Sequence, residues 1–300
     1  MPADNAFLAR RPAAKQSSLI KIPGIDELIK RFMERGATAI WSFVDKTAFA
    51  DDLRAIARNP HFINQGDHTP TCGPAAFLFS LIQADPEAYV RFAIALYEKG
   101  EATIGTLEIK PRRHLFKVAP PPDVSPADWV TMASIRNSEN AFFRFASMDD
   151  NVAASVAKGF LRTTIRTVLA VDDNIAGITM PREVSRWFRR TGFREVVERT
   201  SVLRDRSWND ALDASRLLQQ GHQVVLFINA KMIQGDATKG SLIPNHWVGL
   251  TSPIAQGPNE TVRFTIFTWG DGARAVPSGT GRLAKKDFLN HFYGFIAAKL

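Results

Sequence analysis

The chain has 300 residues, of which 45% are hydrophobic and 23% are charged. These are the proportions of an ordinary globular protein, and they exclude a disordered chain, a collagen and a repeat array. The net charge of +8 favours an acidic partner, such as nucleic acid, a membrane surface or an acidic protein face. With one cysteine, the sequence excludes an internal disulfide framework and any metal site made of several cysteines.

Residues 1–20 predict a flexible basic arm, because this segment is polar and is interrupted by Pro2 and Pro12. The arm has no continuous apolar stretch of the kind found in a secretory signal peptide. No part of the sequence reaches the ~18 uninterrupted apolar residues of a transmembrane helix, so we expect no membrane span. Any export would then follow a route that needs no signal peptide.

The sequence up to about residue 200 predicts mainly helices. Apolar residues recur at helical spacing between residues 25 and 57, and a second amphipathic helix begins at Pro86 and ends at Gly100. A rigid proline-rich linker at 119–126 leads into a mostly helical segment with basic surfaces at about 128–200.

In the last hundred residues, the spacing of the apolar residues changes from a mainly helical pattern to one typical of strands. A helix from about 207 to 220 is followed by short segments that are rich in β-branched and aromatic residues and bounded by Gly, Pro or Asn. The predicted strands are 223–234, 246–254, 261–269 and 293–300, with one more helix at 284–292 before the last strand. Helices first and an antiparallel sheet afterwards predict an α+β fold.

Cys72 has the clearest chemical meaning. Thr71 is a good helix N-cap, Pro74 is tolerated in a first turn, and the apolar run that follows predicts a buried helix. The thiol is therefore expected at a helix N-terminus, where free N–H groups and the helix dipole lower the pKa of a thiol. A thiolate is the nucleophile that acyl transfer requires. The alternative is that Cys72 is a small buried hydrophobic residue.

His246 is the predicted general base. It begins the strand 246–254 after a long loop, so its side chain is expected at the rim of the sheet, where it can face a helix N-terminus. The alternative is a structural histidine whose ring nitrogens are satisfied. Of the other histidines, four are interpreted as solvated residues and the last as the exposed edge of a strand: His61, His68, His114, His291 and, at the edge, His222.

Two further residues complete the candidate site. A general base needs a partner that holds its tautomer, and Asp271 follows the strand next to that of His246, although Gly-Asp-Gly is also an ordinary turn. Gln65 lies in the irregular loop before Cys72. Its amide can donate to an oxyanion together with the N–H of Cys72, or it can simply be exposed to solvent.

Taken together, Gln-Gly, a short loop, Cys-Gly at a helix start, a distant His-Trp-Val strand and an acidic residue after the next strand resemble the papain-like cysteine peptidases. The resemblance is to the double-glycine leader peptidases and to related secreted bacterial toxins and effectors, and it covers residues 60–100 and 208–300. Papain has Trp where this chain has Gly73. Thr268-Trp269-Gly270 resembles the Ser-Trp-Gly of papain, which would put Phe267 at the position of the orienting Asn.

The resemblance implies four catalytic roles: Cys72 as nucleophile, His246 as base, Asp271 as orienter and Gln65 as oxyanion donor. It implies a papain-like α+β fold over residues 21–300, in which a helical lobe with the Cys helix packs on an antiparallel sheet with the His and Asp, and a helical insert spans about 120–205. The implied function is that of a protease toxin or effector. It would be made in the cytoplasm, exported without a signal peptide, and would cleave a protein in the cytosol of a target cell. A cognate immunity or inhibitor protein is the expected second partner.

Other functions stay open. A glutamine deamidase or a peptidoglycan amidase would use the same triad, and a non-catalytic basic binding module would not need Cys72. The basic stretches 110–114 and 186–194 have aromatic or histidine neighbours, but charged helix faces are usually only solvated, so nucleic acid is not favoured. No Walker A, G-x-G-x-x-G or H-E-x-x-H motif is present, and we expect neither a cofactor nor a metal.

Overall fold

The computed structural model of the protein describes residues 23–36, 40–66, 69–139, 179–201, 207–234, 237, 243–270 and 272–300. The predicted arm 1–20, His68, Asp271 and part of the segment 128–200 lie outside these residues. The predicted α+β class is confirmed, since helices dominate the first part of the described chain and a curled antiparallel sheet the second.

The first part contains the helices α1 (Pro23–Glu34), α2 (Lys46–Arg58), α3 (Cys72–Ala84) and α4 (Pro86–Lys99). Asp85 caps α4 by accepting a hydrogen bond from the N–H of Ala88 at 2.8 Å, and Gly100 ends the helix, as predicted, in the left-handed conformation. A small hairpin of β1 (Ala102–Ile104) and β2 (Leu107–Ile109) follows.

The chain then forms a continuous helical stretch with an irregular middle. It consists of α5 (Pro126–Asp128), a π-helical turn (Trp129–Ala133) and α6 (Ser134–Glu139). After residues 140–178 come α7 (Pro181–Arg190) and β3 (Arg194–Thr200). The prediction of helix up to about 200 is wrong for β3, because this β-branched segment pairs with the last strand of the sheet, and tertiary pairing decides its conformation.

The second part supplies most of the main sheet. Its elements are α8 (Trp208–Gln219), β4 (Gln223–Ile228), β5 (His246–Leu250), β6 (Ala255–Gln256), β7 (Val262–Phe267), β8 (Ala273–Val276), α9 (Lys285–His291) and β9 (Phe292–Lys299). The strand order is β3-β9-β4-β5-β7-β6, with β8 also paired to β7. The predicted strands lie where expected, except that 229–234 leaves the sheet as a short 3₁₀ turn.

Both faces of the sheet are buried, which explains why its central strands are apolar at nearly every position. On β4, Val225 and Phe227 face the helices α1–α4, and their neighbours Val224 and Leu226 face the opposite side. The helix α3 packs on the strands β4 and β5. This packing brings the N-terminus of α3 to the start of β5, the two positions at which the sequence predicts a nucleophile and a base.

Candidate active site

Cys72 is the first residue of α3, as predicted, and Pro74 occupies the first turn, where its missing N–H costs no helical hydrogen bond. The predicted role of Thr71 is wrong. Its side chain makes no cap, and Oγ1 instead donates to the carbonyl oxygen of Gln65 at 2.8 Å. The first N–H groups of α3 are thus not taken by a capping side chain.

The Cys72 thiol is 6% exposed, and its burial raises its pKa above the ordinary value. Hydrogen bonding from the backbone of Trp247, the charge of Arg136, and the N–H groups of Gly73 and Cys72 itself act in the opposite direction. The expected lowered pKa is therefore wrong for this state of the protein, because desolvation of the sulfur outweighs the helix N-terminus.

His246 begins β5, as predicted, and is buried. Its Nε2 lies 2.9 Å from the hydroxyl oxygen of Thr268, and its ring stacks on the indole of Trp269 with the ring centroids 4.7 Å apart. Burial lowers the pKa of His246 from 6.5 to about 3, so the imidazole is neutral at physiological pH. A neutral imidazole can accept a proton, which a base must do.

The described link between the thiol and the imidazole runs through the backbone of β5. The N–H of Trp247 acts on the Cys72 sulfur, and Trp247 directly follows His246. The two side chains are not hydrogen-bonded to each other in this state, and within the described residues the Nδ1 of His246 has no hydrogen-bond partner. Catalytic hydrogen bonds in proteins without substrate are often long and shorten when substrate binds.

Gln65 is buried, not solvated, at 4% exposure. Its carbonyl oxygen accepts hydrogen bonds from the hydroxyls of both Thr69 and Thr71, and Gly66 turns the chain in the left-handed conformation. These bonds hold Gln65 beside the residue that precedes Cys72. The side-chain amide of Gln65 has no hydrogen-bond partner in the described part of the chain, so its predicted role as a donor stays a prediction.

Asp271 lies outside the described residues, but its neighbours show where the turn is attached. Gly270 packs so closely on Asn64 that a side chain at position 270 would overlap it. The imidazole of His61 lies near the backbone of Gly272 and against the rings of Phe79 and Phe267. The turn after β7 is thus joined to the loop that carries Gln65.

The interpretation of the remaining histidines is only partly correct. His114 is exposed, as predicted. His222 and His291 are buried instead of solvated. The ring of His222 is satisfied inside the protein, since its Nδ1 is hydrogen-bonded to the carbonyl of Leu217 and its Nε2 lies 3.2 Å from Glu195. A single histidine in a polar stretch gives no sequence signal for such contacts.

Two residues near the first turn of α3 have no signal in the sequence. Thr179 occupies the space beside Gly73, where an added side chain would overlap it, and its carbonyl accepts a hydrogen bond from the indole N–H of Trp247 at 2.8 Å. The buried guanidinium of Arg136 donates to the Thr179 hydroxyl at 3.3 Å. Both residues come from the segment that the sequence analysis treats as an insert, and no local pattern connects them to Cys72.

The described residues contain no cluster of three or more His, Cys, Asp or Glu side chains that could hold a metal ion. In the same part of the chain, no helix combines the length and the apolar character that a membrane crossing requires.

The sequence matches no protein-family model and no curated protein. What can be said about function therefore depends on the geometry of the site.

Proposed function

We propose that the protein is a cysteine-dependent amide hydrolase in which Cys72 is the nucleophile and His246 the general base and acid. The observation that carries this proposal is the junction of α3 and β5. There the backbone of Trp247 lies close enough to the buried thiol to lower its pKa, while the preceding imidazole is held through Nε2 by Thr268. Holding Nε2 leaves Nδ1 free for proton transfer, which is the arrangement that a base next to a nucleophile needs.

In this mechanism the thiol proton passes to Nδ1 of His246 as the sulfur attacks the amide carbon of the substrate. The tetrahedral oxyanion collapses, the C–N bond breaks, and His246 gives the proton to the leaving nitrogen. Water then attacks the thioester while His246 takes a proton from it, and the release of the acid restores the thiol. The neutral resting pair fits this order, since neither the thiol nor the imidazole has to carry a charge in the buried site before substrate arrives.

The oxyanion would be stabilised by donors at the start of α3. The N–H of Cys72 belongs to the uncapped first turn of the helix, and Gln65 is held next to it by the hydroxyl of Thr71. Rotation of the Gln65 amide toward the substrate would supply the second donor. Two N–H donors of this kind contribute a large share of catalysis in acyl transfer.

The orienter of His246 has two candidates. Thr268 makes the hydrogen bond to Nε2, so with the proton on Nε2 the imidazole donates to the Thr268 hydroxyl. Asp271 remains the candidate from the sequence. The indole of Trp269 covers the imidazole from one side, and the backbone of Trp269 has a positive φ of 49°, which a bulky residue rarely adopts.

For the fold and the biological role we propose a papain-like hydrolase that acts as a toxin or effector on a protein of a target cell. Support for the fold comes from a helix with Cys at its N-terminus packed on an antiparallel sheet with His at a strand start. The role follows from the sequence resemblance alone. Cleavage of a peptide bond and deamidation of a glutamine use the same chemistry, so the test must separate them.

The test is mass spectrometry of a bacterial lysate that has been incubated with the wild-type protein or with Cys72→Ala. A protease produces new peptide termini, a deamidase converts glutamine to glutamate without fragments, and both changes should be lost in Cys72→Ala. Isolated peptidoglycan, digested in parallel, reports an amidase through released stem peptides. Equal products from both proteins, or none from either on any substrate, would reject the hydrolase and favour a binding module.

A further inference from the structure

Arg136 is a buried arginine at the wall of the proposed site. It lies in α6, directly after the π-helical turn, and is 1% exposed. Arginine is almost never fully buried unless its charge has a purpose or a partner, and π-helical turns are frequent at functional sites. Both features indicate that the placement of this side chain serves the site.

The contacts of Arg136 lead to the first turn of α3. Its Nη1 lies 3.3 Å from the hydroxyl of Thr179, and Thr179 packs against Gly73, the residue after the nucleophile. On its other side, Nη1 is 3.9 Å from a carboxylate oxygen of Glu183. The same oxygen accepts the N–H of Met180 at 2.7 Å. Arg136 is therefore fixed between a carboxylate and the nucleophile turn.

The charges of Arg136 and Cys72 act on each other. Burial lowers the pKa of Arg136, while the charges of Glu183 and of an ionised Cys72 raise it. Reciprocally, the charge of Arg136 opposes the burial that raises the pKa of the thiol. In a buried setting such an interaction is only weakly screened by water and salt.

The other wall of the site offers no fixed positive charge among the described residues that contact His246. The imidazole is neutral, and its Nε2 partner is the hydroxyl of Thr268. Among the described residues, the charged group that acts on the Cys72 thiol is Arg136 from α6, which has Glu183 of α7 beside it. Arg136 therefore carries the positive charge of the resting site.

We propose that Arg136 is a positioning residue that stabilises the Cys72 thiolate from behind the first turn of α3, and that Glu183 moderates this charge. The inference deepens the proposed function, because it makes Arg136 rather than an imidazolium the cation of the resting site. The inference also explains why position 73 is a glycine. Without a side chain there, Thr179 can pack against the turn, and Arg136 is hydrogen-bonded to Thr179.

The test measures alkylation of Cys72 by iodoacetamide as a function of pH, followed by intact-protein mass spectrometry. In this reaction the thiol first loses its proton to solvent, and the thiolate sulfur then bonds to the CH₂ carbon of iodoacetamide while iodide leaves. Arg136→Gln should move the midpoint upward by about one pH unit, because it removes a nearby opposite charge. Glu183→Gln should move the midpoint downward, since it removes the negative charge beside Arg136 and keeps an oxygen that can accept the N–H of Met180.

Arg136→Lys, which keeps the charge, should stay closer to the wild type than Arg136→Gln. Arg182→Gln, an exposed neighbour of Glu183 on α7, is the matched control and should leave the midpoint unchanged. Opposite shifts in the two main variants support the inference, whereas no shift or shifts of the same sign overturn it. Should Arg136→Gln fail to fold by circular dichroism, an unchanged or raised midpoint in Glu183→Gln still overturns it. The assay uses no substrate, so its outcome is independent of whether the protein is a hydrolase.

Discussion

The two walls of the candidate site are built differently, although both are buried. The wall of Cys72 is the first turn of α3, where backbone N–H groups and the charge of Arg136 act on the sulfur. The wall of His246 is the start of β5, where the imidazole contacts a neutral hydroxyl and an indole. One wall offers charge and dipoles to the nucleophile, and the other holds an uncharged base in place.

The burial that the two walls share sets the protonation state of the resting protein. Burial raises the pKa of the Cys72 thiol and lowers the pKa of His246 to about 3, so each group is kept neutral. At Cys72 the desolvation of a thiolate outweighs the stabilisation by the helix N-terminus. The proton transfer that makes the nucleophile is therefore expected during attack and not before it.

The largest expected effect comes from removing the nucleophile. Cys72→Ala should lower the rate of substrate turnover by about 10⁴- to 10⁶-fold, the range seen when a nucleophile is deleted. The fold should persist, because alanine is smaller and helix-favouring at the start of α3. Product formation in the lysate assay, together with circular dichroism, checks both statements. Turnover that persists in Cys72→Ala would leave Cys72 as a buried structural residue.

The second effect concerns the pH dependence of stability at the His246 wall. The folded pKa of His246, about 3, lies below its ordinary value of 6.5, so the unfolded chain binds the proton more readily. Stability from this group is therefore complete above pH ~6.5 and is lost as the pH falls toward the folded pKa. Between pH ~6.5 and ~4 the free energy of unfolding should drop by on the order of 3 kcal/mol more in the wild type than in His246→Asn.

Urea unfolding of both proteins across this pH range measures that difference. Parallel losses of stability in the wild type and in His246→Asn would contradict a neutral buried imidazole. His246 would then be more exposed to water than its contacts indicate.

A third, smaller effect distinguishes the two candidate orienters. Thr268→Val removes the hydroxyl at Nε2 of His246 while keeping the shape of the side chain, and we expect about a tenfold to thousandfold loss of turnover. Thr268→Ser keeps the hydroxyl and is the control that should retain most activity. Asp271→Asn, in the same assay, tests whether Asp271 orients His246 as the sequence predicts. Full activity in Thr268→Val with a loss in Asp271→Asn would transfer the role to Asp271.

The smallest effect tests the packing between Gly73 and Thr179. An alanine at position 73 would overlap the side chain of Thr179, so Gly73→Ala should destabilise the protein by about 1–3 kcal/mol, the usual cost of overpacking. Adding Thr179→Gly should recover part of this loss. Urea denaturation of the two variants provides the measurement, and unchanged stability in Gly73→Ala would show that Thr179 does not press on the nucleophile turn.

The sequence predicts the fold class and most elements because periodicity, Gly stops and proline positions are local signals. The helix that starts at Cys72 and the strand that starts at His246 are examples, and both are confirmed. The sequence does not predict β3, which depends on pairing with β9. Nor does it predict Arg136 or Thr179, because their approach to Cys72 is a long-range contact between segments that are distant in the chain.

The burial and the contacts of the site residues are harder to predict from sequence than the identity of these residues. A pattern of residues indicates that a thiol lies at a helix N-terminus, but it does not give the depth at which the sulfur is buried, and that depth sets the sign of its pKa shift. Thr268 belongs to the Thr-Trp-Gly segment that resembles papain, yet only the folded structure shows that its hydroxyl contacts His246.

The central claim is that Cys72 and His246 act as one unit, and the reaction with p-nitrophenyl acetate tests it most directly. The wild-type protein should release p-nitrophenolate, carry an acetyl group on Cys72 that mass spectrometry detects, and lose that group by hydrolysis. In His246→Ala the acetylation should be slowed by about 10²- to 10⁴-fold, the typical contribution of a general base. Acetylation of Cys72 at the same rate with and without His246, or acetylation confined to surface lysines, would contradict the claim.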